Sequence, residues 1–181
     1  MSKKIIFAIL IGLLLGLLIP FIAGYLFLIS GGMPVATKGP PLPLERTIAR
    51  MATRAAMRNQ TELTSPVSAD EVNLLAGVKV YQTNCAICHG LPDDTPTAVA
   101  SGLFPKPPHL FPPDIGVIDD PVGKIFWKVK NGIRLTGMPG FVDSLSETEM
   151  WQVSLLLLNA DKLPGRVKQK LQAGSTPTEV E

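Results

Sequence analysis

The stretch Cys85-Ala86-Ile87-Cys88-His89 places two thiols and an imidazole within five residues of the chain. Two cysteines separated by two residues can reach the two vinyl-derived carbons on one edge of a porphyrin, and the adjacent histidine then stands beneath the iron. The spacing therefore predicts that Cys85 and Cys88 attach one haem covalently and that His89 is an axial ligand of its iron.

Three other functions are open to a Cys-x-x-Cys pair. A zinc site needs further ligands, and the only other His or Cys in the chain is His109. A redox dithiol belongs after a strand in a βαβ unit, a pattern that this sequence lacks. A structural disulfide across so short a loop would restrain little chain entropy. Haem attachment is favoured, provided that the site is exported.

Export is indicated by the N-terminus. Lys3 and Lys4 precede an uncharged apolar run over residues 5–29, which as a helix would reach about 37 Å, against about 30 Å of hydrocarbon. The apolar region of a cleaved signal peptide spans only about 7 to 15 residues, so residues 1–30 are predicted to be an uncleaved anchor. With the single Lys38 soon after the run, the charge bias predicts a single-pass protein of the cytoplasmic membrane whose haem domain is periplasmic.

Residues 31–67 are predicted to form a spacer followed by a basic helix. The first part is dense in Gly and Pro, which is typical of an extended spacer. From Leu44 to Gln60, arginines recur at four-residue intervals along one face of the predicted helix, at Arg46, Arg50, Arg54 and Arg58. Such a face can be simply solvated, or it can contact anionic lipid headgroups or an acidic partner subunit. We predict docking on partner subunits, which would hold the haem at a fixed distance.

Two capping boxes mark helices at the two ends of a domain that we predict over residues 68–165. Ser68-x-x-Glu71 precedes an apolar-periodic helix that carries the first thiol. Ser146-x-x-Glu149 precedes a final helix that is apolar on nearly every side. The pattern therefore predicts an all-α domain.

Gly77 stands in the middle of the first of these helices, where Gly costs up to about 1 kcal/mol relative to Ala. We therefore expect the final helix to cross there, with a Trp or a Leu packed on Gly77. Pro164-Gly165 ends the final helix, and residues 166–181 are predicted to be a polar, frayed C-terminal tail.

Residues 90–120, between these helices, show little regular structure and are rich in proline. So long a loop normally argues against a compact domain, but a large, flat, apolar cofactor can organise it. Pro121–Asn131 is predicted to be a short helix that ends at Gly132.

The second axial ligand of the iron is predicted to be Met138, within Gly137-Met138-Pro139. The flanking residues fix a loop and remove bulk, so the thioether can project toward a planar partner. The alternative ligand is His109, in the Pro-rich loop, which would make a bis-His iron.

Residues 68–163 resemble a class I c-type cytochrome. The features that carry the likeness are Cys85-Ala86-Ile87-Cys88-His89, Gly77 and Tyr81 eight and four residues before Cys85, Gly137-Met138-Pro139, and Trp151 in the final helix.

The resemblance implies the class I cytochrome c fold, with helices and loops around one covalent haem c, here behind an N-terminal transmembrane helix. It also implies that Cys85 and Cys88 form the thioethers and that His89 and Met138 are the axial ligands. A Pro carbonyl holds the proximal His in this family, and three candidates are open, namely Pro105, Pro107 and Pro108.

A six-coordinate iron neither binds oxygen nor turns over a substrate readily, and Met opposite His raises the reduction potential relative to two His ligands. We therefore predict a single-electron carrier rather than an enzyme, with no small-molecule substrate. The anchor and the resemblance favour a subunit of a respiratory complex. The alternative is a haem-based gas sensor or a haem enzyme subunit, either of which needs a labile sixth ligand.

The charge distribution of the predicted domain indicates what kind of protein partner it could bind. Residues 68–163 carry eleven acidic and seven basic side chains, a formal charge of −4. A local basic patch is nevertheless predicted just before Met138, formed by Lys124, Lys128, Lys130 and Arg134. Such a patch would orient an acidic protein partner. Nothing in the sequence indicates nucleic-acid binding.

Overall fold

The computed structural model describes residues 2–92, 95–111 and 117–175. Within these residues the regular structure is helical and contains no strand, which confirms the predicted all-α class. The chain divides into two compact units, Met1–Pro43 and Leu44–Glu181. Three of the acidic residues counted in the formal charge of residues 68–163 lie outside the described residues, namely Asp93, Asp94 and Asp114.

The first unit contains α1, Lys3–Ile29, a helix of 27 residues with no buried side chain. At about 1.5 Å per residue it reaches about 40 Å, more than the roughly 30 Å thickness of a hydrocarbon core. Pro20 lies inside the helix without ending it. The helix is therefore long and apolar enough to cross a membrane, as predicted.

The second unit begins with α2, Glu45–Ala56, followed by a 3-10 turn at Arg58–Gln60. The predicted helix from Leu44 to Gln60 is thus present, and its last turn is tighter. Met57 is buried, so the chain that leaves α2 turns into the domain ahead of Ser68.

Helix α3, Glu71–Asn84, begins with a different cap from the one predicted. The Asp70 carboxylate accepts the backbone N–H of Asn73 at 2.9 Å, and Ser68 donates its hydroxyl proton to Asp70. The predicted capping box at Ser68 is therefore wrong, because a carboxylate nearer to the first turn is the stronger acceptor. The hydrogen bond from Ser68, aided by that from Asn73, lowers the pKa of Asp70.

Two short helices, α4 (Ala86–His89) and α5 (Ala98–Gly102), and then α6 (Val122–Asn131) follow. Helix α6 ends where predicted, with Gly132 at φ +65°. A Cβ on Gly123 of α6 would collide with the carbonyl oxygen of Gln60 and would lie 2.7 Å from Leu63 Cβ. The segment after α2 therefore packs directly on α6.

Helix α7, Glu147–Leu158, begins with the predicted capping box of Ser146 and Glu149. It crosses α3 at Gly77, where an added Cβ would collide with the Gln152 carbonyl and lie 3.2 Å from Leu156 Cβ. The predicted crossing is confirmed, and Leu156 makes the contact. Trp151 instead stacks on Phe126 of α6, with the ring centroids 3.8 Å apart.

The predicted frayed tail is wrong over residues 166–172. Helix α8, Gly165–Gln172, follows α7, and its Val167 and Leu171 are fully buried. The side-chain amide of Gln82 on α3 donates to the carbonyl oxygens of Lys170 and Leu171, at 2.9 and 3.1 Å. Two apolar side chains one turn apart gain enough burial to order a short polar helix. Residues 176–181 of the predicted tail lie outside the described residues.

Candidate haem site

An open, mostly apolar cavity lies between the end of α3, the Pro-rich loop, α6 and the loop that carries Met138. Cys85, Cys88, His89 and Met138 all line it, so the fold brings together the four predicted site residues. Val153 and Leu157 of α7 line the same cavity. Its walls suit a large, flat, apolar group.

The two cysteines and His89 are positioned by a single helical turn. Cys85 ends α3, and its carbonyl oxygen accepts the backbone N–H groups of Cys88 and His89 at 3.1 and 2.9 Å. This turn allows both thiols and the imidazole to line one cavity although they are close neighbours in the chain.

The imidazole of His89 is oriented by a backbone carbonyl. Its Nδ1 lies 2.7 Å from the carbonyl oxygen of Pro108. Since a carbonyl can only accept, Nδ1 must carry the proton, and Nε2 keeps the lone pair that a metal needs. Of the three prolines that the sequence left open, Pro108 therefore holds His89. Burial lowers the pKa of His89, an effect partly offset by the Pro108 hydrogen bond, so the neutral, ligating form is favoured.

Met138 lies in a loop that is tightly folded on itself. The Ile133 N–H donates to the Met138 carbonyl at 3.2 Å, and the Met138 N–H donates to Thr136 Oγ1 at 3.1 Å. A Cβ at position 132 would lie 2.7 Å from the Met138 carbonyl oxygen, so this close return of the chain requires Gly132. The backbone thus holds the thioether on the wall of the cavity.

Comparison with known protein families agrees with this geometry. Residues 72–155 match a family model described as cytochrome C oxidase, cbb3-type, subunit III. Residues 72–155 are a class I c-type cytochrome domain. Together with α1, they give the chain the layout of a membrane-anchored cytochrome. No curated protein and no solved structure matches the chain significantly.

His109 is hydrogen-bonded outside the cavity of this cytochrome. Its Nε2 lies 3.0 Å from the Leu91 carbonyl oxygen and must donate there, while Nδ1 accepts the Phe111 N–H at 3.3 Å. Both ring nitrogens are occupied, and His109 does not line the cavity. With the Tyr81 hydroxyl, which donates to the Gly90 carbonyl at 2.6 Å, it instead fixes the chain that leaves His89. This positioning role was not predicted from the sequence.

The dithiol and zinc interpretations also fail in the described parts of the cytochrome. Burial, with a smaller contribution from Cys88, raises the pKa of the Cys85 thiol to about 12, whereas redox dithiols need a stabilised thiolate. Within residues 2–92, 95–111 and 117–175, no cluster of three or more His, Cys, Asp or Glu side chains is suited to hold a metal ion by itself. The donor set fits haem instead, because a porphyrin bound in the cavity would bring the remaining iron ligands with it.

The cavity of the cytochrome also contains two cationic side chains, Lys106 and Lys128. Lys128 is held by Asp120, with Nζ and Oδ2 2.7 Å apart. Lys130 stands 5.7 Å from the centroid of the Phe126 ring, so two of the four cations in the predicted basic patch make contacts within the domain.

Proposed function

We propose that the protein carries single electrons between redox proteins at the outer face of the cytoplasmic membrane, as a subunit of a respiratory complex. One haem c is attached through Cys85 and Cys88, and His89 and Met138 are the axial ligands of its iron. The bound haem supplies the one-electron chemistry. The chain attaches it, orients His89 and shields the group with apolar side chains.

One observation carries this proposal. His89, with Nδ1 bound to Pro108, and Met138, held by its own loop, line the same cavity. An imidazole and a thioether on one haem fill both axial positions, which favours electron transfer over the binding of a gas or a substrate.

The decisive experiment replaces Met138 with Ala. Axial ligands shift haem potentials over a range of about 0.8 V, so Met138→Ala should lower the potential substantially and should let carbon monoxide bind the reduced haem. Leu135→Ala is the matched control, because Leu135 belongs to the same loop and is 92% exposed. An unchanged potential in Met138→Ala would refute the ligand assignment. Ready binding of carbon monoxide by the unaltered protein would favour the gas sensor or haem enzyme.

Covalent attachment is tested by denaturation. The intact protein should keep its haem in acid acetone and on a denaturing gel, because thioether bonds survive both treatments. Cys85→Ala and Cys88→Ala should each retain less haem. Complete loss of haem from the intact protein would exclude thioether attachment.

The orientation rests on Lys3 and Lys4 before α1 against the single Lys38 soon after it. A reporter enzyme that is active only outside the cytoplasm should be active when fused after Gly39. The mature protein should sediment with membranes and begin at Met1 or Ser2. A mature N-terminus near Met33 would indicate a soluble periplasmic carrier instead.

The place in a respiratory complex is proposed because the matching family model is described as an oxidase subunit. Tagged protein should retain other haem-containing subunits when membranes are solubilised in mild detergent. Isolation of the protein alone, with unchanged haem, would favour a mobile tethered carrier.

A further inference from the structure

Helix α2 has an apolar face that the domain leaves uncovered. At 100° per residue, Leu44, Ile48, Met51 and Ala55 fall on one side of this helix. Leu44 is 70%, Ile48 62% and Met51 65% exposed. Helix α2 has no buried residue at all. The sequence analysis recognised only the arginines of this helix.

The opposite side of α2 carries cations. Arg46, Arg50 and Arg54 are exposed, and in the described parts of the chain none of them forms an ion pair. The helix thus combines an apolar stripe with a face of unpaired guanidinium groups.

The burial of Met57, together with the contact of Leu63 with Gly123, shows that the chain enters the domain only after α2 ends. The stripe on α2 is therefore available for something outside the domain. Because the segment that follows packs on α6, whatever holds α2 also orients the cytochrome domain.

The chain length between α1 and α2 allows α2 to reach the surface of a bilayer. Only residues 30–44 separate the end of α1 from the start of α2, and fifteen residues span at most about 50 Å when fully extended. A short helix with a strongly cationic face, an apolar stripe and low overall hydrophobicity is the type that lies in a membrane interface.

We propose that α2 lies in the outer interface of the membrane that α1 enters, with Leu44, Ile48 and Met51 at the acyl boundary and its arginines at anionic phosphates. This helix sets the orientation of the haem domain relative to the membrane surface. The proposal replaces the docking on partner subunits that the arginine spacing led us to predict, and it does not depend on which proteins exchange electrons with the haem.

The test places nitroxide spin labels on single cysteines in the full-length, haem-loaded protein. Ile48→Cys and Met51→Cys probe the apolar stripe, and Arg50→Cys probes the cationic face. Val72→Cys is the control, because Val72 is 77% exposed on α3 of the haem domain. The protein is reconstituted into vesicles of phosphatidylglycerol and phosphatidylethanolamine. Collisions of each label with oxygen, which concentrates in lipid, and with a water-soluble nickel chelate are then measured in the oxidised protein, each against the same sample without oxygen or nickel.

Labels at positions 48 and 51 should show a several-fold higher ratio of oxygen to nickel collisions than labels at 50 and 72. Replacing phosphatidylglycerol with phosphatidylcholine should reduce this difference, because the arginines lose their anionic partners. Equal ratios at all four positions would overturn the proposal. If positions 48 and 51 become shielded only in native membranes that contain partner subunits, α2 docks on protein and the proposal is also overturned.

Discussion

Helices α2 and α8 share a basic, amphipathic pattern but have opposite surroundings. Both are short, basic and amphipathic, and neither has a side-chain N-cap. Val167 and Leu171 of α8 are fully buried, whereas Ile48 and Met51 of α2 are more than 60% exposed. Helix α8 therefore contributes to the core, whereas the domain leaves the apolar face of α2 uncovered.

The difference shows that a periodic pattern defines an apolar face but does not identify what covers it. Helix α8 follows α7 after a short loop, and Gln82 of α3 binds its last carbonyl groups. Helix α2 ends before the chain enters the core, so its apolar face meets whatever surrounds the protein. Energetically, α8 should contribute to domain stability in detergent and α2 should not.

The largest effect is expected for Leu171→Ala. Removing a fully buried Leu side chain loses burial and leaves a cavity, so the free energy of unfolding should fall by about 2–5 kcal/mol. Urea unfolding of the full-length protein in detergent, followed by circular dichroism, measures this change. Gln172→Ala, an exposed position on the same helix, is the control. A decrease in the free energy of unfolding below about 1 kcal/mol would mean that α8, like α2, contributes little to the stability of the domain.

A smaller effect is expected for Gln82→Ala. This change removes the amide that donates to the Lys170 and Leu171 carbonyls, and such hydrogen bonds contribute about 1 kcal/mol. The same unfolding experiment applies, with hydrogen exchange of the α8 amides as a local measure. Gln82→Glu replaces the donor with an acceptor and should be at least as destabilising. If the hydrogen-exchange rates of the α8 amides are unchanged in Gln82→Ala, the burial of Val167 and Leu171 alone holds α8 on the domain.

Arg166→Ala should cost about 0.5 kcal/mol or less, although it also belongs to α8. Arg166 Nη1 lies 3.2 Å from Glu71 Oε1, but the side chains are 76% and 44% exposed, and such surface pairs contribute little. Added salt should remove most of the difference between Arg166→Ala and the parent protein. A loss as large as that of Leu171→Ala would mean that charge, rather than burial, docks α8.

The smallest effect is expected for Ile48→Ala on α2. In detergent the unfolding free energy should stay within about 0.5 kcal/mol of the parent, and any shift should be stabilising because Ala is the better helix former. Because the Ile48 side chain is 62% exposed, little of its apolar surface is covered in the folded domain. Destabilisation above about 1 kcal/mol would show that the domain does cover the stripe.

Much of the site could be predicted from sequence because its parts are local. Cys85, Cys88 and His89 lie within one helical turn, so their spacing alone indicates how they can act together. The residues around Met138 likewise indicate a fixed loop without knowledge of the rest of the fold. The roles of His109 and Pro108 were not predictable, since each depends on a backbone group about twenty residues away.

The sequence by itself determined the all-α class, the membrane-length helix, the capping box at Ser146 and the crossing at Gly77, because each follows from short-range geometry or from one residue's missing side chain. Tertiary structure decided that Asp70 rather than Ser68 caps α3, that Pro108 orients His89, that α8 is buried and that α2 is not. In each of these cases the sequence offered more than one candidate group or surface. Only their positions in space determined which hydrogen bond formed and which apolar surface left water.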